Sequence, residues 1–134
     1  MKIWKGYGSE HSANLVIIGT FKTIEDASEV KGIIEELTAV VRDDEKNGLI
    51  KAGESYNRLS ESISNFVLKS NFGRFDYSDP AQLLLDYKLT QDSEKIIINT
   101  EEQSIQIFIN AMLHRGGKVE VFSNHDYPSE YNRQ

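Results

Sequence analysis

The segment from Asn14 to Phe21 is a near-continuous apolar run rich in Val and Ile. Its length and β-branched content predict a strand buried at the centre of a sheet. Before it, Lys2 to Tyr7 alternates Ile3, Lys5 and Tyr7 against Trp4 and Gly6, the pattern of a short strand with an aromatic face. After it, Ala27, Val30, Ile34, Leu37 and Val41 recur at three- and four-residue spacing and predict a helix over about 24–42 with one apolar stripe. Thr23 opens that helix as a cap, and Asp26 sits where a negative charge suits the positive end of the helix dipole. A polar loop over 43–48 should close it. A second helix, from about Glu54 to Lys69, is expected to bury Tyr56, Leu59, Ile63, Phe66 and Val67 and to stop at Asn71 and Gly73.

The second half changes period again. Phe75-Asp76-Tyr77 reads as a short extended piece, and Asp79-Pro80 as a helix start followed by one or two turns through Leu85. Tyr87 to Gln91 and Lys95 to Asn99 predict an antiparallel hairpin with Asp92 and Ser93 in its turn. Thr100 and Gln103 form a capping-box pattern ahead of Ile105, Phe108, Ile109 and Met112, which predicts a helix over 101–115 ending at Gly116-Gly117. Lys118 to Ser123 resumes strand alternation. The stretch from Lys95 to Ser123 is therefore β–α–β, a connection that usually joins parallel strands of one sheet. The expected fold is α+β: one domain over 1–134, a mixed sheet with helices packed on one face, and a ferredoxin-like plan with an added N-terminal strand.

Composition narrows the functional classes. With 134 residues, 39% hydrophobic and 27% charged, the chain has the material for one ordinary globular core. It contains no cysteine, which excludes disulfides, thiolate nucleophiles and cysteine-held zinc or iron–sulfur centres. No stretch approaches the roughly 18 apolar residues of a membrane span, and Met1 to Gly6 lacks a signal-peptide core, so a cytoplasmic location without membrane contact is expected. The formal charge of −6, from 21 acids and 15 bases, repels phosphate backbones, so nucleic acid is not an expected partner. Acids crowd between Glu25 and Glu45, where Lys31 and Arg42 are the only bases. That helix should carry a negative outer face, which serves solubility and also suits a basic partner.

Two polar clusters are the candidates for chemistry. Tyr7, Ser9, Glu10, His11 and Ser12 follow the first predicted strand, and Asn124, His125, Asp126, Tyr127 and Tyr131 follow the last. If those strands lie close, Glu10, His11, His125 and Asp126 converge as an acid–base or metal-binding set. Histidines, serines and asparagines also occupy strand-end loops to satisfy backbone groups, which is the structural alternative. No ligand spacing such as H-E-x-x-H occurs, Gly6 and Gly8 lack the helix that a dinucleotide or nucleophile-elbow motif requires, and Walker-type loops are absent. No cofactor and no metal are therefore predicted, and no catalytic residue is assigned. His114 is expected in the last turn of the third helix, where a partly charged ring favours the negative end of the dipole.

The opening Lys2-Ile3-Trp4-Lys5-Gly6-Tyr7-Gly8-Ser9-Glu10-His11-Ser12 and the closing His125-Asp126-Tyr127-Pro128-Ser129-Glu130-Tyr131 resemble a family of small uncharacterised bacterial proteins that begin and end alike. The resemblance spans the chain, implies a bacterial cytosolic origin and carries no activity. It makes the two ends, taken together, the candidate functional surface. Trp4, Tyr7, Tyr127 and Tyr131 add the aromatic types enriched where proteins meet. The expected role is a binding or accessory protein with a protein partner: an acidic inhibitor, an immunity-type protein or a subunit of a larger complex, with a homodimer compatible with any of these. The alternative is a small acid–base or metal-dependent enzyme, or a ligand-binding domain, using Glu10, His11, His125 and Asp126.

Overall fold

A computed structural model describes residues 2–4, 14–51, 59–73, 75, 79–101 and 105–123. The elements run β1 (Lys2–Trp4), β2 (Leu15–Thr20), α1 (Ile24–Lys46), α2 (Glu61–Ser70), α3 (Asp79–Gln82), β3 (Tyr87–Asp92), β4 (Lys95–Thr100), α4 (Gln106–His114) and β5 (Lys118–Ser123). The strands form one sheet in the order β1-β5-β2-β4-β3. β2 lies antiparallel between β4 and β5, β3 is antiparallel to β4, and β1 joins β5 in parallel. The sheet is thus mixed, and without β1 its order is that of two interleaved β–α–β units, the ferredoxin-like plan. In each unit the two strands are parallel but separated by a third strand, so the β4–α4–β5 connection spans β2.

One face of the sheet and all four helices build the main core. Leu15, Ile17, Ile96, Ile98, Val119 and Val121 point into it and meet Val30, Ile34 and Leu37 of α1, Ile63 of α2, Leu83 just past α3 and Phe108 and Met112 of α4. A smaller cluster of Val16, Ile18 and Ile97, with Phe122 packed against it, occupies the other face. Because β2 is buried on both faces, its near-continuous apolar run is what its position demands. Gly19 leaves room for the helix layer: a Cβ there would come within 2.6 Å of the Met112 sulfur.

Several element boundaries differ from the sequence reading. α1 begins as expected, with the Asp26 amide donating to the Thr23 hydroxyl at 3.0 Å, but it continues one turn past Arg42. The extra turn is held by Asp44, which is only 2% exposed and accepts a hydrogen bond from the Ser60 hydroxyl. Ser60 in turn accepts from the Ile63 amide and starts α2 at Glu61, so Leu59 packs on the core from outside the helix. The expected turn over 54–58 lies outside the described residues. Thr100 does not cap α4. It is the last residue of β4, its hydroxyl donates to the Asp86 carbonyl at 3.1 Å, and α4 starts at Gln106 without a side-chain cap. Asn71, at φ 52°, closes α2 as the asparagine signal implied.

The outer side of α1 carries the expected acids: Glu25, Glu29, Glu35, Glu36, Asp43 and Glu45 are exposed. Among the described residues no helix is long and apolar enough to cross a membrane.

Candidate functional site at one end of the sheet

The register places five strand ends on one line. Trp4 pairs with Phe122, Leu15 with both Ser123 and Thr100, and Thr100 also with Tyr87. The chain therefore leaves β1, β4 and β5 at this end, and enters β2 and β3 there. A groove of about 430 Å³ opens at the same place, between the entry to β2, the start of β3 and the end of β4.

Local structure sets each side chain that lines the groove. Asn14, at φ 46°, turns the chain into β2, in a left-handed conformation that asparagine tolerates better than most residues. Thr100 ties the end of β4 to the segment before β3 through the Asp86 carbonyl, leaving the Asp86 and Glu101 carboxylates exposed at the rim. On the outer face Asn99 stands between Lys88 and Val16 in adjacent strands.

Tyr87 forms the inner wall. Its ring packs against Phe108 with centroids 4.9 Å apart, and its hydroxyl lies 2.6 Å from that of Thr38 on α1. Thr38 donates its only hydroxyl hydrogen to the Ile34 carbonyl at 2.8 Å, so the tyrosine is the donor between the two hydroxyls. Burial pushes the Tyr87 phenol above its ordinary value. The charge of Arg42 opposes that rise, and Glu35 adds to it. At neutral pH Tyr87 is a neutral, anchored wall.

The lining thus offers two carboxylates, one ammonium and two amides around a fixed aromatic ring. Such a set recognises polar groups by hydrogen bonding and charge, and it contains no nucleophile held by a base. Among the described residues no three or more His, Asp or Glu side chains are grouped to hold a metal ion.

Of the site residues expected from sequence, Trp4 falls in β1 opposite Phe122, at the groove's end of the sheet. Tyr7, Ser9, Glu10, His11, Ser12, Asn124, His125, Asp126, Tyr127 and Tyr131 lie outside the described residues. His114 does occupy the last turn of α4, and there it packs on the loop after α2. Gly73, at φ 96°, backs so closely onto its imidazole that a Cβ would come within 2.6 Å of the ring. Sequence reasoning missed Asp86, Lys88, Asn99 and Glu101, which belong to ordinary strand and turn patterns and meet only through the fold. The one local signal was an asparagine placed just before an apolar strand.

The family model that matches residues 1–134 is that of DUF6375, a family of unknown function. No curated protein matches the chain. No solved structure matches it.

Proposed function

The chain belongs to DUF6375, and we propose that it is a non-enzymatic binding or accessory protein of the bacterial cytoplasm that meets a protein partner at the sheet end where β1, β4 and β5 stop. The observation that carries this reading is the parallel pairing of β1 with β5, whose register brings Trp4 and Phe122 to the same end of the sheet as the groove, at its opposite edge. The two polar clusters follow those two strands in the sequence. The recognition surface comprises Trp4, Tyr7, Ser9, Glu10, His11 and Ser12 from the first cluster. Asn124, His125, Asp126, Tyr127 and Tyr131 come from the second, and Asp86, Lys88, Asn99 and Glu101 complete the surface. Aromatic anchors among hydrogen-bonding groups are the composition of interface hot spots. The net charge of −6 steers basic surfaces towards it, as an inhibitor, an immunity-type protein or an acidic subunit requires.

Site-specific photo-crosslinking in the native host tests the reading. A crosslinker at Glu101 and one at Tyr127 should capture the same protein, while one at the exposed Glu36 on α1 should not. His11→Ala and His125→Ala should reduce that capture without lowering the melting temperature. Equal capture from all three positions, or a lower melting temperature with capture intact, would reject the surface. Turnover of a small molecule abolished by Glu10→Gln or Asp126→Asn, with no protein captured, would replace it by the acid–base or metal-dependent alternative.

A further inference from the structure

β3 is an edge strand: it pairs with β4 on one side and with no described strand on the other. Its hairpin with β4 has a two-residue loop, Ser93-Glu94, with Ser93 at φ 54°. In such a loop the flanking residues, Asp92 and Lys95, form the hydrogen-bonded pair of the ladder. Alternation then turns the backbone groups of Thr90 and Lys88 towards β4, and those of Tyr87, Leu89 and Gln91 towards the free edge. On the outer face of the same strand Lys88 and Asp92 are exposed, and neither forms an ion pair with a described residue.

A charged residue on a free edge normally discourages pairing. Here the two charges are opposite, and they flank Thr90 symmetrically. From this arrangement we infer that the free edge of β3 pairs antiparallel with β3 of a second copy, about a two-fold axis through Thr90, to make one continuous sheet across a homodimer. Two antiparallel registers set the free-edge backbone groups of one copy against those of the other over most of the strand. Centred on Leu89, the overlap is 87–91, Lys88 meets Thr90 of the partner subunit, and Asp92 falls opposite the partner's Asp86. Centred on Thr90, the overlap is 88–92, Leu89 meets the partner's Gln91, and Lys88 meets the partner's Asp92 twice over by symmetry. Opposite charges directly across an antiparallel pair stabilise it and like charges oppose it, which selects the second register. The contact is separate from the proposed recognition surface except at Lys88, which belongs to both.

Sedimentation of the purified protein over a range of concentrations, combined with charge exchange, tests the inference. The wild-type chain should show a reversible monomer–dimer equilibrium. Lys88→Asp alone and Asp92→Lys alone should each weaken dimerisation by about tenfold or more, because each sets like charges opposite one another at two symmetric places. The double exchange should restore it, with circular-dichroism melts confirming that every variant folds. Because the chain lacks cysteine, Thr90→Cys gives a single thiol at the axis, in a non-hydrogen-bonded pair whose Cα atoms stand about 4.5 Å apart. It should form a disulfide-linked dimer on mild oxidation. Lys88→Cys should not, since its copies lie four residues apart, roughly 13 Å along the strands. A protein that stays monomeric at every concentration would overturn the inference. So would a dimer indifferent to single charge reversal, a double exchange that fails to rescue, or equal crosslinking at both cysteine positions.

Discussion

The hydroxyls of Thr38 on α1 and Tyr87 on β3 are 2.6 Å apart, and this bond joins the long helix to the inner wall of the groove. Thr38→Val removes the acceptor and leaves a half-buried phenol without its partner, at a cost of about 1–3 kcal/mol. Tyr87→Phe removes the donor instead. Thr38 keeps its bond to the Ile34 carbonyl, so the loss should be nearer 1 kcal/mol. Urea unfolding of both variants measures the asymmetry, and equal losses would contradict the assigned donor.

The same tyrosine makes stability depend on alkaline pH. Its folded pKa is raised above the ordinary value of 10.0, chiefly by burial, so the folded state holds the phenolic proton more tightly than the unfolded chain does. That contribution is fully present below pH 10 and is lost as pH rises from about 10 through the folded value. Tyr87→Phe should therefore lose less stability than the wild type between pH 9 and pH 11. Absorbance titration should show a late-ionising tyrosine that disappears in the variant.

Ile34 and Phe108 are each 2% exposed, one on α1 and one on α4, both against the sheet. Truncation of either to Ala should cost about 2–5 kcal/mol through lost burial and a residual cavity. An unchanged denaturation midpoint in either variant would mean that the helix faces are misplaced.

Ser60 serves two elements at once, accepting from the Ile63 amide at 3.2 Å and donating to the buried Asp44 carboxylate. Ser60→Ala removes both bonds and should cost about 1–2 kcal/mol in thermal or chemical unfolding. An exposed serine such as Ser62, replaced in the same way, should change stability by less than about 0.5 kcal/mol.

Duplex DNA should bind weakly or not at all near physiological ionic strength, since the chain carries −6 and the outer side of its longest helix is acidic. Fluorescence anisotropy showing tight, sequence-independent binding under those conditions would overturn that expectation.

Periodicity located the elements whose burial is local in origin. The α1 stripe of Ala27, Val30, Ile34, Leu37 and Val41 is buried throughout, and the apolar run of β2 sits at the sheet's centre. It failed where a side chain had two possible partners. Thr100 and Gln103 match a capping box, yet the Thr100 hydroxyl serves the Asp86 carbonyl, a partner far away in sequence. Asp44 looks like a loop acid and is buried because Ser60 answers it. The groove was illegible for the same reason: Asp86, Lys88, Asn99 and Glu101 acquire a common purpose only when β3 and β4 close on Asn14. Trp4 lies in β1, within the strand that the alternation from Lys2 to Tyr7 marked.

The strand order also constrains how the chain assembles during synthesis. β5, the last of the described strands along the chain, lies between β1 and β2, the first two of them. Until it arrives, β2, rich in Val and Ile, has at most one neighbour among the described strands, β4, and β1 has none among them. A nascent chain therefore leaves one edge of this apolar strand open until β5 is made, and closure of the sheet is a late, long-range event. Overproduction should accordingly reward slow translation or chaperone supply more than any change to the helices.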